Sequence, residues 1–232
     1  MNSIADNARR VREKIDAAAR SCGRKAEDIH LIAVSKNHGA EAVRAAGEAA
    51  GIFAFGENRA QEMAEKKAAG AYGSHSLHFI GHLQRNKVKM VVGEADLIQS
   101  AGSAALIRDI AARARALGTV QDVLIEVNIG REPQKSGVLP EALEEMIGLA
   151  AKEAGVRVRG LMAIPPFGVE IEETRKYFSK MMQLFVDITP KTYDNIAMEF
   201  LSMGMSGDFE DAVRAGANMV RVGQSIFGPR GA

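Results

Sequence analysis

Two glycine- and serine-bearing turns stand near the end of the chain, Ser202-Met-Gly-Met-Ser-Gly207 and, after the apolar run Met219-Val-Arg-Val222, Gly223-Gln-Ser225. Phosphate oxygens need several N–H donors converging on a small volume, and turns without a bulky Cβ let backbone amides come that close. Gly207, Gly223, Ser206 and Ser225 suit such a cradle, although parallel α/β proteins also end ordinary strands with glycine and serine. Lys36 follows another apolar run, His30-Leu-Ile-Ala-Val-Ser35. A lysine at a strand end usually carries its charge into solvent while its stem covers apolar neighbours. In a pocket near a second cation the charged form is disfavoured, and the free amine can attack an aldehyde. Arg221, between Val220 and Val222, is available as that cation. A permanent charge inside a strand needs a hydrogen-bonding partner. The partner is either a carboxylate on another strand, such as Glu126 or Glu199, or the ring nitrogen of a bound heterocycle. A phosphate cradle, an amine and an arginine between them match the phosphate, aldehyde and pyridine nitrogen of pyridoxal 5′-phosphate.

Other candidates carry less. Asn58, in Phe55-Gly-Glu-Asn58, reads first as the N-cap of a following helix and second as a hydrogen-bonding group facing the ring. His75, His78 and His82 have a spacing that hints at a metal, but strand alternation separates them along a barrel axis, so no metal site is expected. Lys135-Ser-Gly137 is a solvated loop or a further anion contact, and Met203 and Met205 read as core filler.

The elements that must position these residues repeat. Eight short apolar runs, 30–35, 52–55, 77–80, 96–99, 123–128, 158–163, 199–202 and 219–222, alternate with amphipathic stretches at 40–49, 58–69, 84–93, 103–118, 139–153, 170–187 and 208–215. This is the pattern of βα units and a parallel sheet. Ser3 and Asp6 open a further helix that runs to about Arg20. Eight runs suit a (β/α)8 barrel, in which the leading helix would stand in for a closing helix that ten remaining residues cannot form. An open, doubly wound sheet accepts the same periodicity.

With 232 residues, and no Pro/Gly/Ser linker, one domain spanning 1–232 is expected. Thirty basic against twenty-nine acidic residues leave no field to draw nucleic acid or an anionic membrane, so a small-molecule partner is expected. The single cysteine, Cys22, permits no internal disulfide. The charged N-terminus and the absence of a spanning apolar run read as a cytoplasmic protein.

Taken in order, Ala33-Val-Ser-Lys36, Phe55-Gly-Glu-Asn58 with Gln61-Glu62, His78-Phe-Ile-Gly-His-Leu-Gln-Arg-Asn-Lys87, Lys135-Ser-Gly-Val138, Gly160-Leu-Met-Ala163, Leu201-Ser-Met-Gly-Met-Ser206 and Val220-Arg-Val-Gly223 resemble the YggS/PROSC family of pyridoxal phosphate homeostasis proteins over nearly the whole chain. That resemblance implies a single TIM-like barrel of the alanine racemase N-terminal type. It also implies pyridoxal 5′-phosphate covalently attached to Lys36 as an aldimine, phosphate held by Ser206, Gly207, Gly223 and Gln224, Arg221 facing the pyridine nitrogen, and Asn58 beside the aldimine. Gln224 stands where the family more often has a small residue, Arg59 where it often has an aromatic or amide, and residues 228–232 lack a tyrosine that closes some members.

An arginine donates to the pyridine nitrogen without protonating it, which leaves the ring a poor electron sink. A racemase would further need a second base opposite Lys36, and Tyr72, Tyr177 and Tyr193 are not placed to be one. The expectation is a cofactor-holding protein in vitamin B6 and amino-acid balance, without turnover of its own, monomeric, and with pyridoxal-phosphate-dependent apoenzymes as possible recipients. A racemase of the same cofactor class and a plain phosphosugar-binding barrel are the rivals.

Overall fold

The computed structural model describes residues 3–49, 51–191 and 193–228. Eight parallel strands, β1 (His30–Val34), β2 (Ile52–Glu57), β3 (Ser76–Phe79), β4 (Leu97–Ala101), β5 (Gln121–Val127), β6 (Val156–Ala163), β7 (Ile196–Ser202) and β8 (Met219–Val222), pair in chain order and close on themselves through β8 and β1. Each of the eight apolar runs is therefore a strand, and the closed barrel replaces the open sheet that periodicity alone allowed.

Helices α1 (Ile4–Ser21), α2 (Ala40–Gly47), α3 (Ala60–Ala68), α4 (Val88–Val91), α5 (Ala104–Ala116), α6 (Leu143–Ala150), α7 (Ile171–Ile188), α8 (Phe209–Arg214) and α9 (Gln224–Phe227) accompany the strands. The amphipathic stretch 84–93 yields only a 3-10 turn and the short α4, because Val92 leaves the helical region and Gly93 takes φ +84°. Ser3 and Asp6 close a reciprocal capping box at the head of α1. Its buried face, Ala8, Val11, Ile15, Ala18 and Ala19, packs on α8 and α9, and Asn7 Nδ2 donates to the Ile226 carbonyl at 2.9 Å. The leading helix thus covers the flank that the four-residue α9 is too short to cover.

Alternation along the strands sends one set of side chains outward against the helices and the other into the barrel. The inner set begins with a buried apolar layer, Ile32, Ala54, Leu97, Leu124, Met162 and Met219. Beside it runs a chain of hydrogen bonds. Arg221 Nη1 donates to Ser202 Oγ (2.6 Å), Ser202 Oγ donates to Gln99 Oε1 (2.7 Å), and Gln99 Nε2 donates to His78 Nδ1 (2.9 Å). A barrel interior can hold these polar groups because each finds a partner in the row.

Accepting at Nδ1 requires a neutral ring, and burial accordingly lowers the His78 pKa to about 4. The unfolded ring takes a proton near its ordinary value of 6.5. His78 therefore contributes stability that is intact above 6.5 and is lost as pH falls toward 4. At about pH 5 the loss should be roughly 2 kcal/mol. Urea denaturation at neutral pH and at about pH 5 should show that much more loss in the wild type than in His78→Gln. Equal losses would place the acid sensitivity elsewhere.

Candidate functional site

The expected site residues all belong to the C-terminal ends of the strands or the turns beyond them. Ile32 pairs with Arg221 and Ala33 with Val222, so the chain leaving β1 toward Lys36 runs beside the chain leaving β8 toward Gln224. Contact between the two is close. A Cβ on Gly223 would stand 3.1 Å from the Val34 carbonyl oxygen and 3.3 Å from Val34 Cβ, so a side chain there would crowd the strand that leads to Lys36. Lys36 is half-buried, just beyond the buried Ser35.

The two turns also meet. Ser225 N–H donates to Ser206 Oγ at 3.4 Å, and the turn after β7 is held in shape by Met205 N–H donating to Asp208 Oδ1 at 2.6 Å. Gly204 adopts φ +92°, and a Cβ there would come 2.5 Å from Ala212 Cβ, so only glycine lets this turn fold back over α8. A Cβ on Gly207 would meet nothing within 4 Å, which marks the open side of the turn. Gln224 is the first residue of α9, and its exposed side chain makes no hydrogen bond among the described residues. What it offers is a main-chain N–H of a first helical turn, one without an intrahelical partner. Its departure from a small residue therefore leaves the turn's donor in place. Residues 229–232, with the missing tyrosine, lie outside the described residues.

Arg221 is 4% exposed. The carboxylate pairing considered from the sequence does not form. Glu199 is engaged by Arg159, and among the described residues no carboxylate reaches ion-pair distance of Arg221. Instead Arg221 donates to the Ser202 hydroxyl and, at 3.0 Å, to the Ala163 carbonyl. Burial pulls its pKa down to about 10, partly offset by the charges of Asp208 and Glu126, so it remains a cation at neutral pH. Two of its five N–H groups are used, both by neutral acceptors.

Asn58 is not a helix cap. The cap of α3 is Arg59, which makes no side-chain capping bond, because β2 runs on to Glu57 and the helix begins only at Ala60. Asn58 instead lines a cleft of about 570 Å³ with Ile80, His82, Glu126, Lys135 and Ile164, and its Oδ1 is buried without a hydrogen-bond partner. The 135–137 segment is half-buried rather than a solvated loop, and Lys135 and Ser136 line the same cleft. Lys135 pairs with Glu132 and donates to the Pro165 carbonyl, and Ser136 donates to Glu126 Oε2 at 2.9 Å. Burial raises the Glu126 pKa. Met203 is core, but Met205 is 36% exposed. His82 faces the cleft while His78 lies inside the barrel, and among the described residues no group of three or more His, Cys, Asp or Glu is arranged to hold a metal.

Sequence reasoning missed a buried charge network next to Lys36. Lys66 Nζ, on α3, donates to Glu57 Oε1 (2.7 Å), Glu62 Oε1 (2.7 Å) and the Ser35 carbonyl (2.6 Å). Ser35 Oγ and Tyr72 OH donate to the same Glu57 oxygen, at 2.6 and 3.2 Å. Burial raises the pKa of Glu57, opposed by the bonds from Lys66 and Ser35. The signal was present: Ala60, Met63 and Lys66 stand three residues apart and form the buried face of α3, so a lysine sits where an apolar residue belongs.

The model of the alanine racemase N-terminal domain matches residues 2–231. The pyridoxal phosphate homeostasis protein of Aquifex aeolicus is 42% identical over 221 residues, 95% of this chain and 96% of its own. That of Escherichia coli K12 is 38% identical over 234 residues, 99% of this chain and 98% of its own. The chain belongs to the pyridoxal phosphate homeostasis protein family. Among solved structures, PipY of Synechococcus elongatus PCC7942 with pyridoxal phosphate bound superimposes with a TM-score of 0.80 at 34% identity, covering 94% of this chain and all of that one (100%). Family membership agrees with the closed barrel. No described helix is long and apolar enough to cross a membrane.

Removing Lys66 would strand the Glu57 carboxylate in a dry site. Lys66→Met should lower unfolding free energy by about 3–5 kcal/mol, the usual cost of breaking one side of a buried ion pair. Adding Glu57→Gln to that variant should restore part of the loss, because the stranded charge is then gone. Chemical denaturation of the two variants measures the difference, and an unrescued double variant would argue against a charge effect.

Proposed function

We propose that the chain binds pyridoxal 5′-phosphate at the C-terminal mouth of the barrel, covalently through Lys36, and holds it in reserve without turning over a substrate of its own. The observation that supports this reading is the close approach of Gly223 to Val34, by which the turn after β8 runs beside the strand end that leads to Lys36. In this reading Ser206, Gly207, Gly223 and Gln224 hold the phosphate through main-chain N–H groups and the Ser206 hydroxyl. Arg221 donates to the pyridine nitrogen, and Asn58 uses its unpartnered Oδ1 beside the point of attachment. The residues fit the group: an open turn at Gly207, spare arginine donors and an orphaned buried amide oxygen each match one of its polar ends. When bound, the cofactor supplies an aldehyde that exchanges reversibly between amines.

Arg221 supports storage over catalysis. Even with its pKa down to about 10 it keeps its proton at neutral pH, so it donates a hydrogen bond to the ring nitrogen and transfers nothing to it. The tyrosines support it too. Tyr72 is buried against Glu57, Tyr177 belongs to α7, Tyr193 is 42% exposed, and among the described residues none of the three lines the cleft. We further propose that residues 1–232 act as one unit, as a monomer in the cytoplasm, with pyridoxal-phosphate-dependent apoenzymes as recipients.

Purified protein incubated with pyridoxal phosphate should absorb in the visible, and borohydride followed by peptide mapping should fix the label on Lys36. Lys36→Ala should lose the reducible colour yet keep weaker binding, because the turns and Arg221 remain. Unchanged reducible colour in that variant would move the attachment to another lysine. Incubation of the loaded protein with L-alanine and other L-amino acids should give no D-enantiomer. Turnover on the order of 1 per second or faster would make the protein an enzyme.

A further inference from the structure

The buried network around Lys66 grips the backbone on both sides of Lys36. On the N-terminal side, Lys66 Nζ donates to the Ser35 carbonyl at 2.6 Å and the Ser35 hydroxyl donates to Glu57 at 2.6 Å. On the C-terminal side, Glu62 Oε1 accepts the Asn37 N–H at 2.5 Å. Lys66 joins the two halves by donating to both Glu57 and Glu62 at 2.7 Å. Between these grips the chain makes a tight turn, closed by His38 N–H donating to the Ser35 carbonyl at 3.1 Å. Lys36 is its second residue, and Asn37, its third, takes φ +63°, a left-handed conformation that asparagine tolerates better than most.

We infer that Glu62, Lys66 and Glu57 are positioning residues that fix the turn bearing Lys36, so that its amine is presented to an aldehyde in one orientation. The part of this inference that concerns the aldehyde rests on the function proposed above. A purely stabilising ion pair has no need to engage both neighbours of one lysine. Here two of the three acceptors of the Lys66 ammonium, the Ser35 carbonyl and Glu62, touch the turn directly, and the third reaches it through the Ser35 hydroxyl. The turn's own closure is a single backbone hydrogen bond, from His38 N–H to the Ser35 carbonyl, and the network adds to it from both sides. Glu62 suits a test because its side chain is 18% exposed and lies at the edge of the network, whereas the Glu57 side chain is fully buried.

Two variants separate positioning from general stability. Glu62→Ala removes the acceptor of the Asn37 N–H, and Glu62→Gln keeps an acceptor there. In cofactor-free protein, amide hydrogen exchange at Asn37 should quicken on the order of 10-fold in Glu62→Ala, the scale of losing one charge-assisted hydrogen bond. Capture of pyridoxal phosphate, followed by absorbance, should slow by a similar factor of about 10. Competition by inorganic phosphate should change by less than about 2-fold, because among the described residues Glu62 bonds to Asn37 and Lys66 and not to the turns after β7 and β8. Glu62→Gln should recover most of both losses. Wild-type exchange at Asn37 and wild-type capture in Glu62→Ala would overturn the inference, as would a Glu62→Gln protein as impaired as Glu62→Ala. Should the wild type take up no pyridoxal phosphate at all, the proposed function fails, and exchange at Asn37 alone still decides whether the clamp exists.

Discussion

Closure of the barrel between β1 and β8 joins the two ends of the chain along one parallel ladder, from His30 opposite Met219 to Ala33 opposite Val222. Parallel pairing gives the two strands a common direction, so the segments that leave them emerge at the same end and side by side. The turn carrying Lys36 and the turn carrying Gly223 to Ser225 are neighbours for this reason, although almost the whole chain lies between them. A side chain at position 223 would press against Val34, which would have to give by a few tenths of an ångström. The α1 helix reinforces the closure from outside, through its packing on α8 and α9 and the bond from Asn7 to Ile226. Without that ladder the barrel would be an open sheet, and the turns after β1 and β8 would stand at its two opposite edges.

Much of this was legible in the sequence, for identifiable reasons. Apolar runs of four to six residues separated by amphipathic stretches have few interpretations, and all eight became strands. Strand ends could be placed to within a few residues, so Lys36, Ser206, Gly207, Arg221, Gly223 and Gln224 could be assigned to one edge of the sheet. Side-chain partnership was less accessible. Whether Arg221 met a carboxylate or a neutral acceptor depended on register between β7 and β8, and nothing in a single strand fixes that. Asn58 was misjudged because a helix-capping residue type stands one place before the actual cap; β2 extends two residues beyond its apolar run, through Gly56 and Glu57, and carries Asn58 to the mouth.

Lys66 escaped notice for a different reason. A lysine in a charged helix looks like solvated surface, and its Glu62 partner four residues earlier looks like an ordinary exposed pair. Only the buried spacing Ala60, Met63, Lys66 betrays it, and that spacing acquires meaning once Glu57 is known to be an interior strand residue. Two unusual placements, a carboxylate in a strand and an ammonium on an apolar helix face, are each costly alone and stable together. Sequence patterns report such positions one at a time, whereas the energetics belong to the pair.

The two ends of the barrel use arginine in opposite ways. Near the N-terminal ends of the strands, Arg159 is bound by Asp122 and Glu199, and Arg157 forks onto Asp122. These guanidinium groups have their countercharges within the protein, and the bonds to carboxylates raise the pKa of both. Toward the mouth, Arg221 bonds among the described residues to a hydroxyl and a carbonyl, and burial lowers its pKa. Its hydrogen-bond partners are neutral, and the charges of Asp208 and Glu126 act on it from beyond ion-pair distance. Such a site costs stability by itself, since a buried charge whose countercharges stand off is poorly solvated. The polar row from Arg221 through Ser202 and Gln99 to His78 fixes the guanidinium through neutral partners and leaves three of its five N–H groups without a hydrogen bond among the described residues.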